Sequence, residues 1–312
     1  MNYKYTIDER VNFYLGNMDK RCYDYMKDIT PRVRNYIYTV LIGNNIDNTE
    51  VLTGGKGALV NSFKYIEGTL NKLINDGVCP IDKTILVYLA DQNRLRTFPM
   101  IAKTRLIDDN GNITIAPIGR ARHYGPVADL PNIDCKVSDK CNKIVWRGHC
   151  QPMNNIIHIR QEVVSKFAEH KNSNIDIGYS SGVATGSTLL KNKMTLRELL
   201  RYRFNISLEG NDVATNLKWI LASNSIAVAP RMTTEGWFME SKLEPWVHYI
   251  PLDDDCMDIE DKLNWGISNP DKCIDINKNA NKFMLEFVDI ERENEIFYRV
   301  LKSYIENIHI NI

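Results

Sequence analysis

Polar residues follow two short apolar runs of the sequence, at the places where buried strands would end. Asp91 comes directly after residues 84–90, and its carboxylate can accept a proton from a substrate hydroxyl; a turn or helix-capping residue is the alternative. Arg147 and Gly148 come directly after residues 143–146. The Arg147 guanidinium suits a phosphate or a carboxylate, and Gly148 lets a ligand approach the backbone, although a structural ion pair explains Arg147 equally well.

A third group of polar and small residues joins an expected strand to an expected helix. Its members are Glu209, Gly210, Asn211, Asp212, Val213, Ala214 and Thr215. A glycine-containing turn of this kind can place a phosphate at the helix N-terminus, where N–H groups and the helix dipole favour an anion. Lys218 lies one turn further along and can reach back with its ammonium group. We expect Asn211 or Asp212 to cap the helix and Glu209 to face sugar hydroxyls, and an ordinary capped helix is the alternative.

Familiar ligand-binding patterns are incomplete in this sequence. Residues 54–57 contain glycines and a lysine without the spacing of a P-loop, and no G-x-G-x-x-G turn for a dinucleotide is present. Cys135, Cys141 and Cys150 lack the paired spacing of a zinc site. Residues 253–255 are three aspartates that fit an acidic loop before a helix. None of these patterns therefore predicts a P-loop, a dinucleotide turn or a metal site.

The elements that must position these residues alternate between strands and helices in the second half of the chain. Apolar runs predict strands at residues 143–146, 175–179, 204–208, 225–229 and 246–252. Helical spacing predicts helices at residues 155–167, 196–202, 212–222 and 259–265. This alternation predicts an α/β protein with parallel sheets, in which ligands bind at the carboxyl ends of the strands or between two halves.

The first half of the chain has a less regular pattern. Helical spacing predicts helices at residues 11–25, 33–41 and 59–73, and apolar runs predict strands at 84–90, 98–102 and 113–118. Residues 126–139 resemble connecting chain, which places the boundary between two α/β halves near residues 130–140. The last helix carries a continuous apolar stripe over residues 297–308.

The composition limits the classes of protein that fit. The chain has 312 residues, 44% hydrophobic and 25% charged, as in ordinary globular proteins. Lys+Arg and Asp+Glu both number 39, so there is no basic excess for non-specific binding of nucleic acid. The apolar runs fall short of the roughly 20 residues that span a bilayer, and the N-terminus lacks the apolar core of a signal peptide. With seven cysteines in no framework spacing, we expect a cytoplasmic protein.

Several motifs of the chain together resemble the family-90 glycosyltransferases. The motifs are LEGND at 208–212, LKW at 217–219, SNS at 223–225, GWFMES at 236–241, EPWVHYIPL at 244–252, WRG at 146–148 and VYLAD at 87–91. The resemblance is strongest over residues 204–252, and the N-terminal helices carry little of it.

This resemblance implies an α/β fold of the GT-B type, with two Rossmann-like domains that face each other across a cleft. Residues 1–135 would form the acceptor-side domain and 136–288 the UDP-sugar-binding domain, while residues 289–312 would form a helix packed on the N-terminal domain. The implied reaction is an inverting, metal-independent transfer of a sugar from a UDP-sugar to a hydroxyl of a glycan acceptor. Xylose is the favoured sugar and glucose the next.

The resemblance also assigns roles to particular residues. Asp91 would be the general base. Arg147 with Gly148, Arg160 and the segment 209–215 with Lys218 would hold the diphosphate. The sequence departs from the family at Asn216, where the protein-modifying members have an arginine, so part of the positive charge would come from other cations.

Two other classes of function remain as alternatives. A non-catalytic protein of the same fold would bind a nucleotide or a glycan without turnover, but Asp91, Arg147 and Lys218 are all present. A nucleotide-sugar epimerase or oxidoreductase would need the dinucleotide turn that the sequence lacks. The identity of the acceptor is left open.

Overall fold

A computed structural model describes residues 3–16, 21–24, 37–41, 50–53, 60–79, 83–88, 99–108, 112–118, 120–150 and 159–311. Contacts within the chain divide it into two compact units. The first unit consists of Met1–Gly119, Thr233–Glu240 and Glu286–Ile312, and the second of Arg120–Met232 and Ser241–Leu285. Each unit has its own five-stranded sheet.

The described helices and strands follow one another in this order. The first part of the chain contains α1 (Ile7–Leu15), β1 (Arg21–Asp24), β2 (Ile37–Leu41), β3 (Glu50–Thr53), α2 (Val60–Asn75), β4 (Thr84–Tyr88), β5 (Met100–Ala102), β6 (Thr104–Leu106) and β7 (Ile113–Ile115). The middle contains α3 (Arg120–Ile133), β8 (Cys141–His149), α4 (Ile159–Phe167), β9 (Ile175–Ser181), α5 (Leu196–Leu199), β10 (Tyr202–Ile206), α6 (Thr215–Ala222) and β11 (Ile226–Ala229). The last part contains β12 (Thr234–Gly236), β13 (Ile250–Pro251), α7 (Ile259–Ser268), α8 (Pro270–Met284), α9 (Ile290–Asn307) and β14 (Ile308–Asn311).

The sheet of the first unit has the strand order β3-β2-β4-β5-β7. β4, β5 and β7 run parallel, whereas β2 is antiparallel to both of its neighbours. All five residues of β4 are buried, which confirms the buried strand predicted from its apolar run. The apolar stripe of α9 is buried as well, and the hydroxyl of Tyr304 donates to the carbonyl of Pro99 at 2.6 Å.

The sheet of the second unit has the strand order β13-β11-β10-β8-β9, and all of its strands run parallel. Its core combines apolar residues of these strands with those of α4, α7 and α8. The predicted α/β class with parallel strands is therefore confirmed. The strand predicted at 246–252 is much shorter than expected, because only Ile250–Pro251 pairs with β11.

The helices predicted near the N-terminus are partly wrong. α1 ends at Leu15, before Gly16 with a φ of 64°, and Arg21–Asp24 forms a strand parallel to β14. Ile37–Leu41, expected at the end of a second helix, is a strand between β3 and β4. This stretch is rich in β-branched and aromatic residues, and pairing with two strands outweighs its helical spacing.

The connecting chain predicted at 126–139 is also wrong, because Arg120–Ile133 forms α3. Pro126 and Pro131 lie inside this helix, where each removes a backbone hydrogen-bond donor. α3 packs against α6 in the second unit, so tertiary contacts maintain a helix that its sequence disfavours. Within the ranges that the structure describes, no helix is both long and apolar enough to cross a membrane.

Candidate functional site

The candidate site lies at the carboxyl end of β10, in the second unit. The chain stays buried after the strand through Leu208, and residues Glu209 and Gly210 are partly exposed. Arg160, near the start of α4, donates from Nη2 to the carbonyl of Leu208 at 2.8 Å. The guanidinium also lies 5.7 Å from the ring centroid of Trp146 on β8, within cation–π distance.

Gly210 allows the guanidinium of Arg160 to lie directly against the backbone of this turn. A Cβ built on Gly210 would lie 2.9 Å from Nη2 of Arg160, closer than real Cβ contacts allow. A side chain at this position would therefore displace the guanidinium. The structure thus brings together two of the residues, Arg160 and Gly210, that the resemblance assigned to the diphosphate.

The start of α6 differs from the expectation. The N-cap residue is Ala214 and no side chain caps the helix, so the prediction that Asn211 or Asp212 caps it is wrong. The carboxylate of Asp212 instead accepts a hydrogen bond from the N–H of Val213, directly next to it in the chain. As a result, α6 begins at Thr215 without a side-chain cap. The positive end of its helix dipole lies beside the loop of residues 209–214.

The remaining residues of the turn differ in exposure. Asp212, Val213 and Ala214 are buried, whereas Asn211 and Thr215 are partly exposed. Lys218 is 1% exposed, and its Nζ donates to the carbonyl of Ala214 at 3.2 Å. The ammonium group therefore points back toward the N-terminus of its own helix.

Asn216, at the position of the family's arginine, ties the helix to the strand before it. Its Nδ2 donates to the carbonyl of Ile206 at 2.8 Å, and its Oδ1 accepts from the hydroxyl of Ser207 at 3.1 Å. Ile206 is the last residue of β10, and Ser207 directly follows it. The amide thus fixes the distance between the strand end and the first turn of α6.

Arg147 makes an ion pair within the sheet. Its Nη2 donates to both carboxylate oxygens of Asp176 on β9, at 2.8 and 2.9 Å. Its Nη1 donates to the carbonyls of Trp146 and Asp176, both at 2.9 Å, and its Nε to the carbonyl of Asn192 at 3.1 Å. All three nitrogens of the guanidinium thus donate hydrogen bonds to the protein. The structure therefore favours an ion-pair role for Arg147 over the diphosphate-binding role that the resemblance implied.

Asp176 collects further donors around its carboxylate. Nζ of Lys191 and the hydroxyl of Tyr202 both donate to it at 3.1 Å. Burial raises the pKa of Asp176, but the hydrogen bonds and charges of Arg147 and Lys191 outweigh burial, so its pKa lies below the ordinary value. Burial, followed by the charge of Asp176, raises the pKa of Tyr202 to about 12.

Gly148 has a packing role next to Trp146. A Cβ built on Gly148 would lie 2.3 Å from the indole of Trp146, so only glycine leaves space for the ring in this position. The same indole supports the guanidinium of Arg160. The sequence analysis did not identify Trp146 or Asp176 as partners in this region, although the WRG motif contains the first of them.

Asp91 lies outside the described residues. Among the residues that the structure does describe, no group of three or more His, Cys, Asp or Glu side chains is arranged to hold a metal ion.

Comparison with known proteins places this geometry in context. The sequence model described as "Glycosyl transferase family 90" matches residues 128–312, which include the whole candidate site but not Asp91. The O-glucosyltransferase LpsA of Dichelobacter nodosus is 31% identical over 228 residues, covering 72% of this chain and 68% of the relative. Protein O-glucosyltransferase 2 of Danio rerio is 24% identical over 167 residues, covering 52% of this chain and 30% of the relative.

Proposed function

The chain belongs to glycosyl transferase family 90, and we propose that it transfers a sugar from a UDP-sugar to a hydroxyl group of a glycan acceptor, with inversion at the anomeric carbon. Its family membership makes it a glycosyltransferase. The proposed use of a UDP-sugar is supported by the contact of Arg160 with Gly210 at the carboxyl end of β10, beside the uncapped first turn of α6.

The diphosphate of the donor needs positive charge as it leaves. In this proposal the guanidinium of Arg160 and the backbone N–H groups of Ala214 and Thr215 take its oxygens, and the dipole of α6 adds to the favourable field. Lys218 contributes its charge from within the helix. These groups can neutralise the leaving group without a metal ion, which is the form of electrostatic stabilisation that we propose for this enzyme.

The acceptor needs a base, and we assign that role to Asp91 from the VYLAD motif. The carboxylate takes the proton of the acceptor hydroxyl while its oxygen attacks the anomeric carbon. The bond from that carbon to the diphosphate breaks on the opposite side, and UDP leaves with the electron pair. The proposal includes a GT-B architecture, supported by the parallel sheet of the second unit and by the membership of Glu286–Ile312 in the first unit.

We favour glucose as the transferred sugar, because both relatives described above carry the name O-glucosyltransferase. This reverses the order expected from the sequence, in which xylose came first and glucose second. The chain matches only 30% of the Danio rerio protein, so the acceptor of that protein does not indicate the acceptor of this chain.

A panel of nucleotide sugars tests the proposal. UDP-glucose, UDP-xylose and UDP-galactose, with GDP-mannose as the control, are incubated with the protein with and without glycan acceptors, and nucleotide release is measured. We expect release from UDP-glucose or UDP-xylose that acceptors accelerate and that EDTA leaves unchanged. Binding of UDP with no release under any condition would favour the non-catalytic alternative, and release from GDP-mannose alone would contradict the donor class.

A further inference from the structure

Trp246 displays a large aromatic ring to solvent from a strained position of the backbone. Its φ is 63°, and 43% of the residue is exposed. A positive φ is unfavourable for a bulky residue, and such strain persists only where the surrounding structure enforces it. Among the large hydrophobic residues that are exposed in the described part of the chain, Trp246 is the only aromatic one; the others are Ile274, Leu285, Val288 and Ile290.

The loop around Trp246 is held closed by hydrogen bonds. The N–H of Trp246 donates to the carbonyl of Tyr249 at 2.8 Å, and the N–H of His248 donates to the carbonyl of Glu244 at 2.9 Å. The N–H of Glu244 in turn donates to Nδ1 of the buried His248 at 2.9 Å. The loop therefore fixes the strained conformation and presents the indole rigidly.

A second tryptophan supports the ring from the protein side. The centroids of Trp246 and Trp265 lie 4.5 Å apart with the ring planes at 61°, and Trp265 packs on the core of the second unit. Nζ of Lys262 lies 5.2 Å from the centroid of Trp246, and its charge is paired with Asp258 at 3.1 Å. The pair thus forms an aromatic surface with the paired Lys262 beside Trp246 and with Nζ of Lys272 5.9 Å from the centroid of Trp265.

We propose that the Trp246–Trp265 pair is a binding site for a neutral oligosaccharide, which rests on the proposed function because a glycan is the acceptor class of that function. Rigid tryptophan rings provide a large contact area at low entropic cost, and their electron-rich faces attract the weakly positive C–H groups of a sugar ring. The charge of Lys262 is paired with Asp258, and the exposed Lys272, with Nζ 5.9 Å from the centroid of Trp265, can donate hydrogen bonds to sugar hydroxyls.

The site is separate from the donor site at the end of β10. The loop of Trp246 precedes β13, so it enters the sheet from the amino ends of the strands. Gly266, next to Trp265, packs on Phe204 near the start of β10. Gly210 lies beyond the opposite, carboxyl end of β10. The pair would thus hold a part of the glycan distant from the reacting sugar.

Calorimetric titration of cellotetraose, chitotetraose and maltotetraose tests the proposal. We expect at least one of them to bind the wild-type protein and Trp246→Asn to weaken that binding roughly tenfold or more, because a large apolar contact is lost. Asparagine tolerates positive φ, so this variant keeps the fold and the loop. Trp246→Phe should retain part of the affinity, and Ile274→Asn, which alters an apolar residue exposed to a similar degree elsewhere in the same unit, should retain all of it.

The outcomes separate this inference from the proposed function. No binding of the three oligosaccharides, equal affinity in Trp246→Asn, or binding of neutral phosphatidylcholine vesicles in their place would overturn the inference. Release of UDP by the wild-type protein is measured independently, and its absence would overturn the proposed function while oligosaccharide binding through Trp246 would still support the site.

Discussion

The guanidinium group of Arg160 lies so close to the backbone of Gly210 that a methyl group on that glycine would be 2.9 Å from Nη2. Two distant stretches of sequence, one on α4 and one after β10, meet at this point. Trp146 supports the guanidinium from a third element, β8. Packing against Gly210 and Trp146 therefore fixes the position of the Arg160 guanidinium.

Gly210→Ala tests the importance of this contact. Since the far end of the Arg160 side chain is the group that must shift, we expect thermal stability to change little and the affinity for UDP to fall about tenfold. Calorimetry measures the affinity. The control is Gly68→Ala in the helix α2, where a Cβ has no neighbour within 4 Å outside its own chain neighbours and should stabilise the protein by about 0.5–1 kcal/mol without changing UDP binding.

Asp176→Asn tests the assignment of Arg147 to an ion pair. The variant leaves a largely buried guanidinium without its counter-charge, so we expect a loss of about 1–3 kcal/mol in the free energy of unfolding. Arg147→Met should likewise lower stability and leave the UDP affinity of the folded protein unchanged. A large loss of UDP affinity in Arg147→Met would restore Arg147 as a diphosphate ligand.

The pH dependence of stability gives a second test of Asp176. Its pKa in the folded protein lies below the ordinary value of 3.8, so its contribution is present above that pH and is lost as the pH falls through the lowered pKa. Denaturation between pH 5 and pH 2 should therefore show a smaller loss of stability in Asp176→Asn than in the wild-type protein. Parallel curves for the two proteins would argue against the proposed contribution of this carboxylate.

Asn216→Ala removes the two hydrogen bonds that tie α6 to the end of β10. We expect a loss of about 1–3 kcal/mol in stability because the carbonyl of Ile206 and the hydroxyl of Ser207 lose a partner. The UDP affinity should fall as well, since the first turn of α6 is no longer fixed. An affinity equal to that of the wild-type protein would place the anion away from this turn.

Asp91→Asn tests the assignment of the base, which rests on the sequence motif alone. The amide cannot accept the proton, so we expect turnover to fall by roughly 10²–10⁴ while UDP binding is retained. Steady-state release of UDP measures the first and calorimetry the second. Turnover close to that of the wild-type protein would remove Asp91 from the base role.

The sequence predicted the sheet of the second unit well, because its strands are short apolar runs separated by helices of clear spacing. It failed for α3, since Pro126 and Pro131 disfavour a helix that only packing against α6 maintains. It failed for Ile37–Leu41 because five apolar or β-branched residues fit a strand and a helical face alike.

The sequence singles out candidate residues more readily than it predicts their contacts. The glycine turn and Lys218 stand out in the sequence itself, whereas Arg160 follows only from the family resemblance. The partner of Arg147 could not be found, because Asp176 lies on the neighbouring strand and only the register of β8 with β9 brings them together. The missing cap of α6 likewise depends on where the helix begins, which residue types alone do not fix.

Titration of UDP into the wild-type protein and Arg160→Met tests the central claim most directly. We expect the wild-type protein to bind UDP and Arg160→Met to bind it about 10- to 100-fold more weakly, because a charge-assisted hydrogen bond to the diphosphate is lost. Arg197→Met, at an exposed arginine of α5, is the matched control and should bind like the wild-type protein. Equal affinities in all three proteins, or no binding of UDP by the wild-type protein, would contradict the account.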